Sequence, residues 1–424
     1  MFAKVLQIFK IKDLRRKILI ILGLLAVFRV LAAIPVSGVD YAQLRNLFNS
    51  SQLLGFLNIF SGGALENLSI AMLGVGPYIT ATIIMQLLTM IFPKLKAMYY
   101  EEGSAGRAKF NRISRFLTVP LAMLQGYGFL NLLKSQNILG HLGFLDTALN
   151  VLLITAGSMM LLWIGELISE QKIGNGVSLI IFAGIVSGLP NAVKTSIVSY
   201  DPAVLPSYLA FAVISVIVIA GVVFISEGER KIPVSYAKRI RGMKMYGGAS
   251  SYLPLKVNQA GVIPIIFAIS ILLFPQFIAQ AASIVSPDLS VKLNDVVTRL
   301  FNNIFIYSAF YFLLVVVFTY FYTAVTFDPK EIAKNLQRSG GFIVGVRPGQ
   351  STGEFIAKIV SRITLFGALF LGTVAILPNV TQMITGVQTL AIGGTALLIV
   401  VSVALEFLRE VDSQLTIREY EGVR

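Results

Sequence analysis

Ten apolar segments recur along the 424 residues, and each is close to the length that a helix needs to cross a bilayer. A helix rises 1.5 Å per residue, so about 20 mostly apolar residues span the hydrocarbon core. Because 56% of the residues are hydrophobic and only 13% are charged, a water-soluble domain of this length is excluded. The chain is therefore predicted to be an all-α polytopic membrane protein with ten transmembrane helices. The segments lie at about 18–36, 71–92, 114–132, 147–167, 177–196, 206–226, 258–279, 302–325, 362–380 and 388–408.

The basic residues fall almost entirely on one side of this layout. Of the 35 Lys and Arg residues, 29 share a side with the N-terminus. They are six residues before Ile18, six from Lys94 to Arg115, Lys172, seven from Arg230 to Lys256, six from Lys330 to Arg362 and three near the C-terminus. The other side carries only Arg45, Lys134, Lys194, Lys292 and Arg299, while Arg29 lies inside an apolar segment. Since cytoplasmic loops carry an excess of Lys and Arg, both termini are predicted to be cytosolic.

Two of the basic loops, at about 227–257 and 327–361, are longer than orientation in the membrane requires. They are candidate docking surfaces for a cytosolic partner. The net charge of +14 suits anionic lipid, acidic proteins or nucleic acid, and it does not choose among them.

The ten segments divide into two sets of five, in residues 1–196 and 197–424. An odd number of crossings in each half would invert one half relative to the other. Inverted repeats place a pathway at their interface.

The stretch at about 56–70 is of mixed polarity, and it is too short and too polar to span the membrane alone. It is either a surface loop or a half-helix folded back into the protein from outside. Irregular backbone at membrane depth must be buried in protein or face water, so the residues by themselves favour the surface loop. Further along, Gly74-Val75-Gly76-Pro77 predicts a bend at the head of the second apolar helix.

The sequence offers little for catalysis or ion coupling. The chain has no cysteine, and its single histidine, His141, lies in a short outside loop, so we predict no enzyme activity, no metal and no cofactor. Glu166 and Glu406 lie near the cytosolic ends of their segments, and no carboxylate lies at mid-membrane, which disfavours ion-coupled transport. A solute transporter built on inverted repeats and an intramembrane enzyme are the alternative hypotheses.

Four groups of motifs, in order along nearly the whole chain, resemble the SecY family of protein-translocation channels. They are Phe60–Leu65 with Gly74–Tyr78, Lys172–Ser178 continuing to Pro190, Arg230–Arg239 with Leu253–Asn258 and Ala260–Pro264, and Phe327–Ala333 with Gly340–Ile343 and Gly345–Gly349.

The resemblance implies two pseudo-symmetric inverted halves around an hourglass pore in the bacterial cytoplasmic membrane. Unfolded secretory precursors would cross through the pore, and membrane-protein helices would leave it sideways into lipid. The implied partners are the small membrane subunits SecE and SecG, the motor ATPase SecA, the ribosome, signal-sequence-bearing precursors and membrane lipid.

The resemblance also implies roles for particular residues. It implies a pore ring of Val75, Ile79, Val177, Ile181, Ile266 and Ile399, in which the two valines depart from the usual isoleucine. It makes the stretch at 56–70 a plug, with Phe60, Ser61, Gly62, Gly63, Ala64 and Leu65. It implies a lateral gate between the second and third helices and the seventh and eighth, with polar members Thr80, Gln125 and Asn258. It implies cytosolic docking through Arg230, Lys231, Lys238, Arg239, Arg241 and Arg347.

Overall fold

The computed structural model describes residues 11–35, 58, 61, 63–65, 67–135, 143–198, 205–236, 239–241, 244–246, 250–282, 286–385 and 388–422. Most of these residues are helical, as the sequence predicts. The helices are α1 (Lys12–Ala33), α2 (Gly76–Ile91), α3 (Pro93–Tyr100), α4 (Gly103–Ser135), α5 (Phe144–Glu170), α6 (Gly176–Val198), α7 (Leu205–Glu227), α8 (Ile263–Ala281), α9 (Pro287–Asn302), α10 (Ile304–Thr326), α11 (Pro329–Arg338), α12 (Gln350–Thr385) and α13 (Gln388–Gly422).

Four helical stretches in the described part of the chain are long and apolar enough to cross a membrane: Gly103–Lys134, Phe144–Glu170, Ile304–Arg338 and Gln350–Thr381. The pair α2 and α3 would make a fifth if it counts as one span, although it is bent by 112°. Each predicted apolar segment overlaps one of the helices, but the count of ten membrane crossings stays a prediction.

The predicted bend at the head of the second apolar helix is wrong. The helix α2 begins at Gly76, and Pro77 lies in its first turn. Proline is favourable there because the first N–H groups of a helix have no partner within the helix. The sharp bend follows instead at Phe92, which has extended backbone and precedes Pro93.

Among the described residues, four helices contain an interior proline: Pro120 in α4, Pro190 in α6, Pro275 in α8 and Pro378 in α12. Each removes one helical hydrogen bond. Long apolar helices tolerate this because neighbouring groups satisfy the freed carbonyl.

The described parts of the two long basic loops contain five strands, which the all-α prediction did not include: β1 (Glu229–Tyr236), β2 (Arg239–Arg241), β3 (Lys244–Tyr246), β4 (Ser250–Lys256) and β5 (Gly341–Ile343). The strands β4, β1 and β5 form one antiparallel sheet in that order, with Ile232 opposite Leu253 and Val234 opposite Ile343. The strands β2 and β3 form a separate ribbon. The first loop and the second loop are therefore parts of one folded structure.

The chain divides into two compact units. The first contains Met1–Leu209, Ile269–Asn303 and Val403–Arg424, and the second contains Ala210–Ala268 and Ile304–Ser402. The division at residue 196 that the sequence suggests stays a prediction.

Each unit has its own buried apolar cluster. The cluster of the first unit joins the turns before α2 to α4 and α5, and it contains Leu65, Leu68, Met72, Phe129, Leu130, Leu133 and Ile154. The cluster of the second unit joins the three-stranded sheet to α12, and it contains Ile232, Val234, Leu255, Ile343, Ile356 and Val360.

Candidate functional site

The motif Lys172–Ser178 forms the tight turn between α5 and α6. Lys172 and Gly174 have left-handed backbone, with φ of +56° and +97°, a conformation that suits glycine and strains lysine. The side-chain oxygen of Asn175 accepts hydrogen bonds from the N–H groups of Val177, at 3.0 Å, and Ser178, at 3.3 Å. This cap fixes the first residue of α6.

The backbones of α5 and α6 meet beside this turn. The N–H of Gly176 donates to the Ser169 hydroxyl at 2.9 Å, and that hydroxyl donates to the carbonyl oxygen of Gly165 at 2.9 Å. A Cβ atom at position 176 would overlap the Gly165 carbonyl oxygen. We call Gly165, Ser169 and Gly176 the glycine clamp. Sequence reasoning missed Gly165 and Ser169, although small residues four apart are a signal of close helix packing.

The glycine clamp sets the position of two predicted ring residues. Val177 and Ile181 are one helical turn apart at the start of α6. Ile181 is only 1% exposed, and Val177 is half-buried.

The other predicted ring residues are also buried. In the first unit, Val75 is the N-cap of α2, and its carbonyl oxygen accepts a hydrogen bond from the Ile79 N–H at 3.1 Å. In the second unit, Ile266 and Ile399 lie on α8 and α13. Every position is aliphatic and lies in a helix or a helix cap. Ordinary core packing also buries aliphatic residues, so the ring itself stays a prediction.

Two predicted gate residues of the first unit contact each other. The Gln125 amide nitrogen donates to the Thr80 hydroxyl at 3.5 Å, and that hydroxyl donates to the Gly76 carbonyl oxygen at 3.0 Å. Both side chains are buried, on α4 and α2. The structure therefore brings together polar groups from the second and third apolar segments of the sequence.

The third predicted gate residue, Asn258, lies in the turn between β4 and α8 in the second unit. Its amide nitrogen donates to the Gly261 carbonyl oxygen at 3.1 Å. Its amide oxygen is buried and has no hydrogen-bond partner among the described residues. An unsatisfied buried acceptor lowers the stability of the folded state by about 1–3 kcal/mol, so the Asn258 side chain destabilises this turn.

The predicted plug segment is largely buried where the structure describes it, although Asn67 is exposed. The Ser61 hydroxyl accepts a hydrogen bond from the Leu65 N–H at 3.0 Å. Ser61, Ala64 and Leu65 are all at most 2% exposed, and Gly63 has a φ of +78°. Phe60 and Gly62 lie outside the described residues. These buried turns argue against a solvent-exposed surface loop.

The end of this segment is held at Ile70. The Ile70 N–H donates to the carbonyl oxygen of Ile34 at 3.1 Å. A Cβ at Gly157 of α5 would overlap the carbonyl oxygen of Ile70. The backbone after the segment thus lies directly on α5, because Gly157 has no side chain.

Four of the five predicted docking residues of the first basic loop lie on strands. Arg230 and Lys231 are exposed on β1, whereas Ile232 and Val234 of the same strand are buried in the sheet cluster. Arg239 and Arg241 lie on β2. Lys238 lies outside the described residues.

Arg347, in the second basic loop, is exposed in a turn with a fixed backbone. Gly345 and Gly349 have φ of +84° and +101°. The Arg347 carbonyl oxygen accepts a hydrogen bond at 2.8 Å from the hydroxyl of Thr352, which is 2% exposed. The side chain of Arg347 is therefore presented to solvent from an anchored position.

Comparison with known proteins agrees with the motifs. The family model described as SecY matches residues 69–408. A protein translocase subunit SecY of Corynebacterium glutamicum is 42% identical over 444 aligned positions, which cover 99% of each chain. This chain belongs to the SecY family.

Two solved structures share the fold of this SecY-family chain. The first is described as the structure of a protein conducting channel, with a TM-score of 0.65 and 20% identity, covering 92% of this chain and 90% of that one. The second is Sec61 in the canine ribosome-channel complex from the endoplasmic reticulum, with a TM-score of 0.61 and 19% identity over the same shares of the two chains. Both similarities extend over almost the whole SecY-family chain.

Proposed function

We propose that this chain forms a protein-conducting channel in the bacterial cytoplasmic membrane. Unfolded secretory precursors cross through it, and membrane-protein helices leave it sideways into lipid. The observation that carries the proposal is the relationship to a protein translocase subunit over 99% of both chains. The shared fold with a protein-conducting channel supports it.

The six aliphatic residues Val75, Ile79, Val177, Ile181, Ile266 and Ile399 form the ring at the narrowest part of this channel. A narrow apolar ring disfavours a continuous column of water, so it resists ion leakage without a rigid door. Branched aliphatic side chains shift aside for a passing peptide and make no hydrogen bonds that would retain it. The contacts of the glycine clamp support this role, because they hold the helix that carries Val177 and Ile181.

The lateral gate has polar members Thr80, Gln125 and Asn258. A signal sequence is an apolar helix, and its burial at the gate contributes about 25 cal/mol per Å² of apolar surface. The closed gate is weakened by polar groups, of which the unsatisfied amide oxygen of Asn258 is the clearest. Opening is then a population shift toward the state that binds the signal sequence.

The segment at 56–70 acts as the plug of the closed channel. Its small residues Ser61 and Gly63 permit close packing, and Leu65 supplies apolar burial in the cluster of the first unit. The contacts of Ile70 with Ile34 and α5 hold the end of the segment, so displacement of the plug would pivot at that point.

The sheet that unites the two basic loops docks the motor ATPase SecA or the ribosome on the cytosolic side, where both termini also lie. The exposed Arg230, Lys231 and Arg347, with Lys238, Arg239 and Arg241 of the same loops, contact acidic surfaces or RNA phosphates. SecE and SecG are the companion membrane subunits. The solved Sec61 complex with a ribosome makes the ribosome a reasonable partner for this fold.

The test of the channel proposal uses the absence of cysteine from the chain. A cysteine replaces Ile181, and a matched control cysteine replaces Val186, which is 37% exposed and about 140° around the same helix. The chain is reconstituted with its companion subunits and motor, and a precursor with one cysteine is arrested in transit. We expect a disulfide at position 181, and not at 186, that requires both ATP and a signal sequence.

Active translocation without a disulfide at position 181, despite disulfides elsewhere on the chain, would refute the ring assignment. Failure to translocate with any correctly assembled partner would favour a solute transporter instead. That alternative requires a polar substrate site at mid-membrane, and the proposed ring is wholly aliphatic.

A further inference from the structure

The helix α9 stands between two apolar helices and differs from both in its composition. It covers Pro287–Asn302, and α10 begins two residues after its end, at Ile304. The stretch Ile304–Arg338 is one of the four that can cross a membrane. The C-terminal end of α9 is therefore tied by the chain to the boundary of the membrane.

One side of α9 carries an apolar stripe. Leu289, Leu293, Val296 and Val297 have the helical spacing of four, three and one residues, which places them on one face. Leu289 is 45% exposed and Val296 is 54% exposed, so the protein leaves much of this face uncovered. We call Leu289, Leu293, Val296 and Val297 the α9 stripe.

A second face of α9, about 120° around the helix from the stripe, carries four charges spaced by four, three and four residues. They alternate as Asp288, Lys292, Asp295 and Arg299, and the Arg299 guanidinium is 2.8 Å from the Asp295 carboxylate. An acidic residue four positions before a basic one stabilises a helix by itself. Asp288 in the first turn and Arg299 in the last turn also complement the helix dipole. These charges therefore stabilise α9 through contacts within the helix itself.

We propose that α9 lies in the plane of the membrane interface, with the α9 stripe buried among lipid acyl chains and its charged side in water. An amphipathic helix of this kind buries its apolar face about 5–10 Å below the headgroups. The occupant of the stripe is lipid because the helix continues almost directly into a spanning segment. The inference does not depend on the channel function.

The charges of α9 also predict which lipid is needed. Its polar side carries two acidic and two basic residues, so the net charge of these four side chains is zero. Attraction to anionic headgroups is then weak, and binding depends on the apolar stripe. Zwitterionic lipid is sufficient.

Two valines of α9 give a matched test. Val296 lies on the stripe, whereas Val291 is 68% exposed and lies about 140° around the helix. Single cysteines at these positions in the otherwise cysteine-free, full-length chain are spin-labelled after reconstitution in vesicles of phosphatidylcholine. The accessibility of each label to oxygen, which enters lipid, is compared with its accessibility to a water-soluble nickel chelate. Labelled cysteines at Leu289, on the stripe, and at Asp288, on the charged side, repeat the comparison.

We expect the ratio of oxygen to nickel accessibility to be higher at Val296 than at Val291 by about threefold or more, because only the stripe is below the headgroups. The same ratio is expected when a third of the lipid is anionic. Nickel accessibility that is equal at both valines would place the helix in water and overturn the proposal. A label at Val296 that is immobile and inaccessible to both reagents would assign the stripe to a protein contact, which also overturns it. A difference that appears only with anionic lipid would overturn the inference about charge.

Discussion

The glycine clamp and the three-stranded sheet hold their neighbouring residues in opposite ways. In the clamp, the Gly176 N–H and the Gly165 carbonyl oxygen both bond to Ser169, and no side chain fits between the two backbones. In the sheet, Arg230 and Lys231 stand on a strand whose residues Ile232 and Val234 are buried in an apolar cluster. The clamp depends on a missing side chain, and the sheet depends on several large ones. In the proposed function, the ring residues Val177 and Ile181 need a fixed backbone, whereas the long side chains of the proposed docking residues Arg230 and Lys231 need only a stable platform.

The largest effect on stability is expected in the sheet cluster. Ile356 is fully buried there, on α12, so Ile356→Ala should destabilise the cluster by about 2–5 kcal/mol by leaving a cavity. Limited proteolysis of the purified protein should then cut the basic loops faster. Phe355→Ala, at a neighbouring residue that is 38% exposed, is the control and should have a smaller effect. Equal rates of loop cleavage in Ile356→Ala and the unchanged protein would contradict the role of this cluster.

Gly176→Ala tests the clamp. The new Cβ would meet a backbone oxygen that cannot rotate away. We therefore expect the free energy of unfolding to fall by about 1–3 kcal/mol, at the upper end of that range. Thermal unfolding measures this loss, and a raised ion leak through the resting channel would report displacement of Val177 and Ile181.

The control for that prediction is Gly188→Ala in the same helix, where no atom lies within 4 Å of the added Cβ. This change should be neutral or stabilise by up to about 1 kcal/mol. If both alanine variants unfolded at the same temperature, close approach at Gly176 would not be important.

Ser169→Ala should have a smaller effect on the same contact. It leaves the Gly176 N–H without its acceptor, which should lower the free energy of unfolding by about 1–3 kcal/mol. The value should be toward the lower end because the site is partly exposed. Ser187→Ala is the comparison, since its hydroxyl donates only to the Gly184 carbonyl oxygen within α6. Both variants are compared with the unchanged protein by thermal unfolding. An effect of Ser187→Ala as large as that of Ser169→Ala would argue against a bridging role for Ser169.

Arg347→Glu should change stability least, by no more than about 0.5 kcal/mol, because the side chain is exposed. It should nevertheless impair precursor export in cells that carry only this variant, since it reverses a charge at the proposed docking surface, while membrane insertion of the chain stays normal. Lys194→Glu, at an exposed position on the side predicted to face away from the cytosol, is the control. Normal export with Arg347→Glu, or an equal defect with Lys194→Glu, would remove Arg347 from the docking surface.

Features that depend on neighbouring residues could be predicted from the sequence. The helices follow from runs of apolar residues, and the long basic loops follow from clusters of Lys and Arg between them. The bend at the head of α2 was wrongly predicted because Pro77 has opposite effects inside a helix and in its first turn. The buried state of Ser61 and Leu65 could not be predicted from their local sequence, since polar and small residues in that stretch suit a surface loop equally well.

By itself the sequence determined the membrane class, the positions of the apolar helices, the basic loops and the family, because each depends on composition or on motifs of adjacent residues. Only the tertiary structure decided that the two basic loops share one sheet, with Val234 beside Ile343, and that Ser169 joins Gly165 to Gly176. The burial of the turns around Leu65 was decided in the same way. These contacts join residues that are distant along the chain or lie on different helices. Their formation depends on how whole elements pack, which local periodicity and charge do not specify.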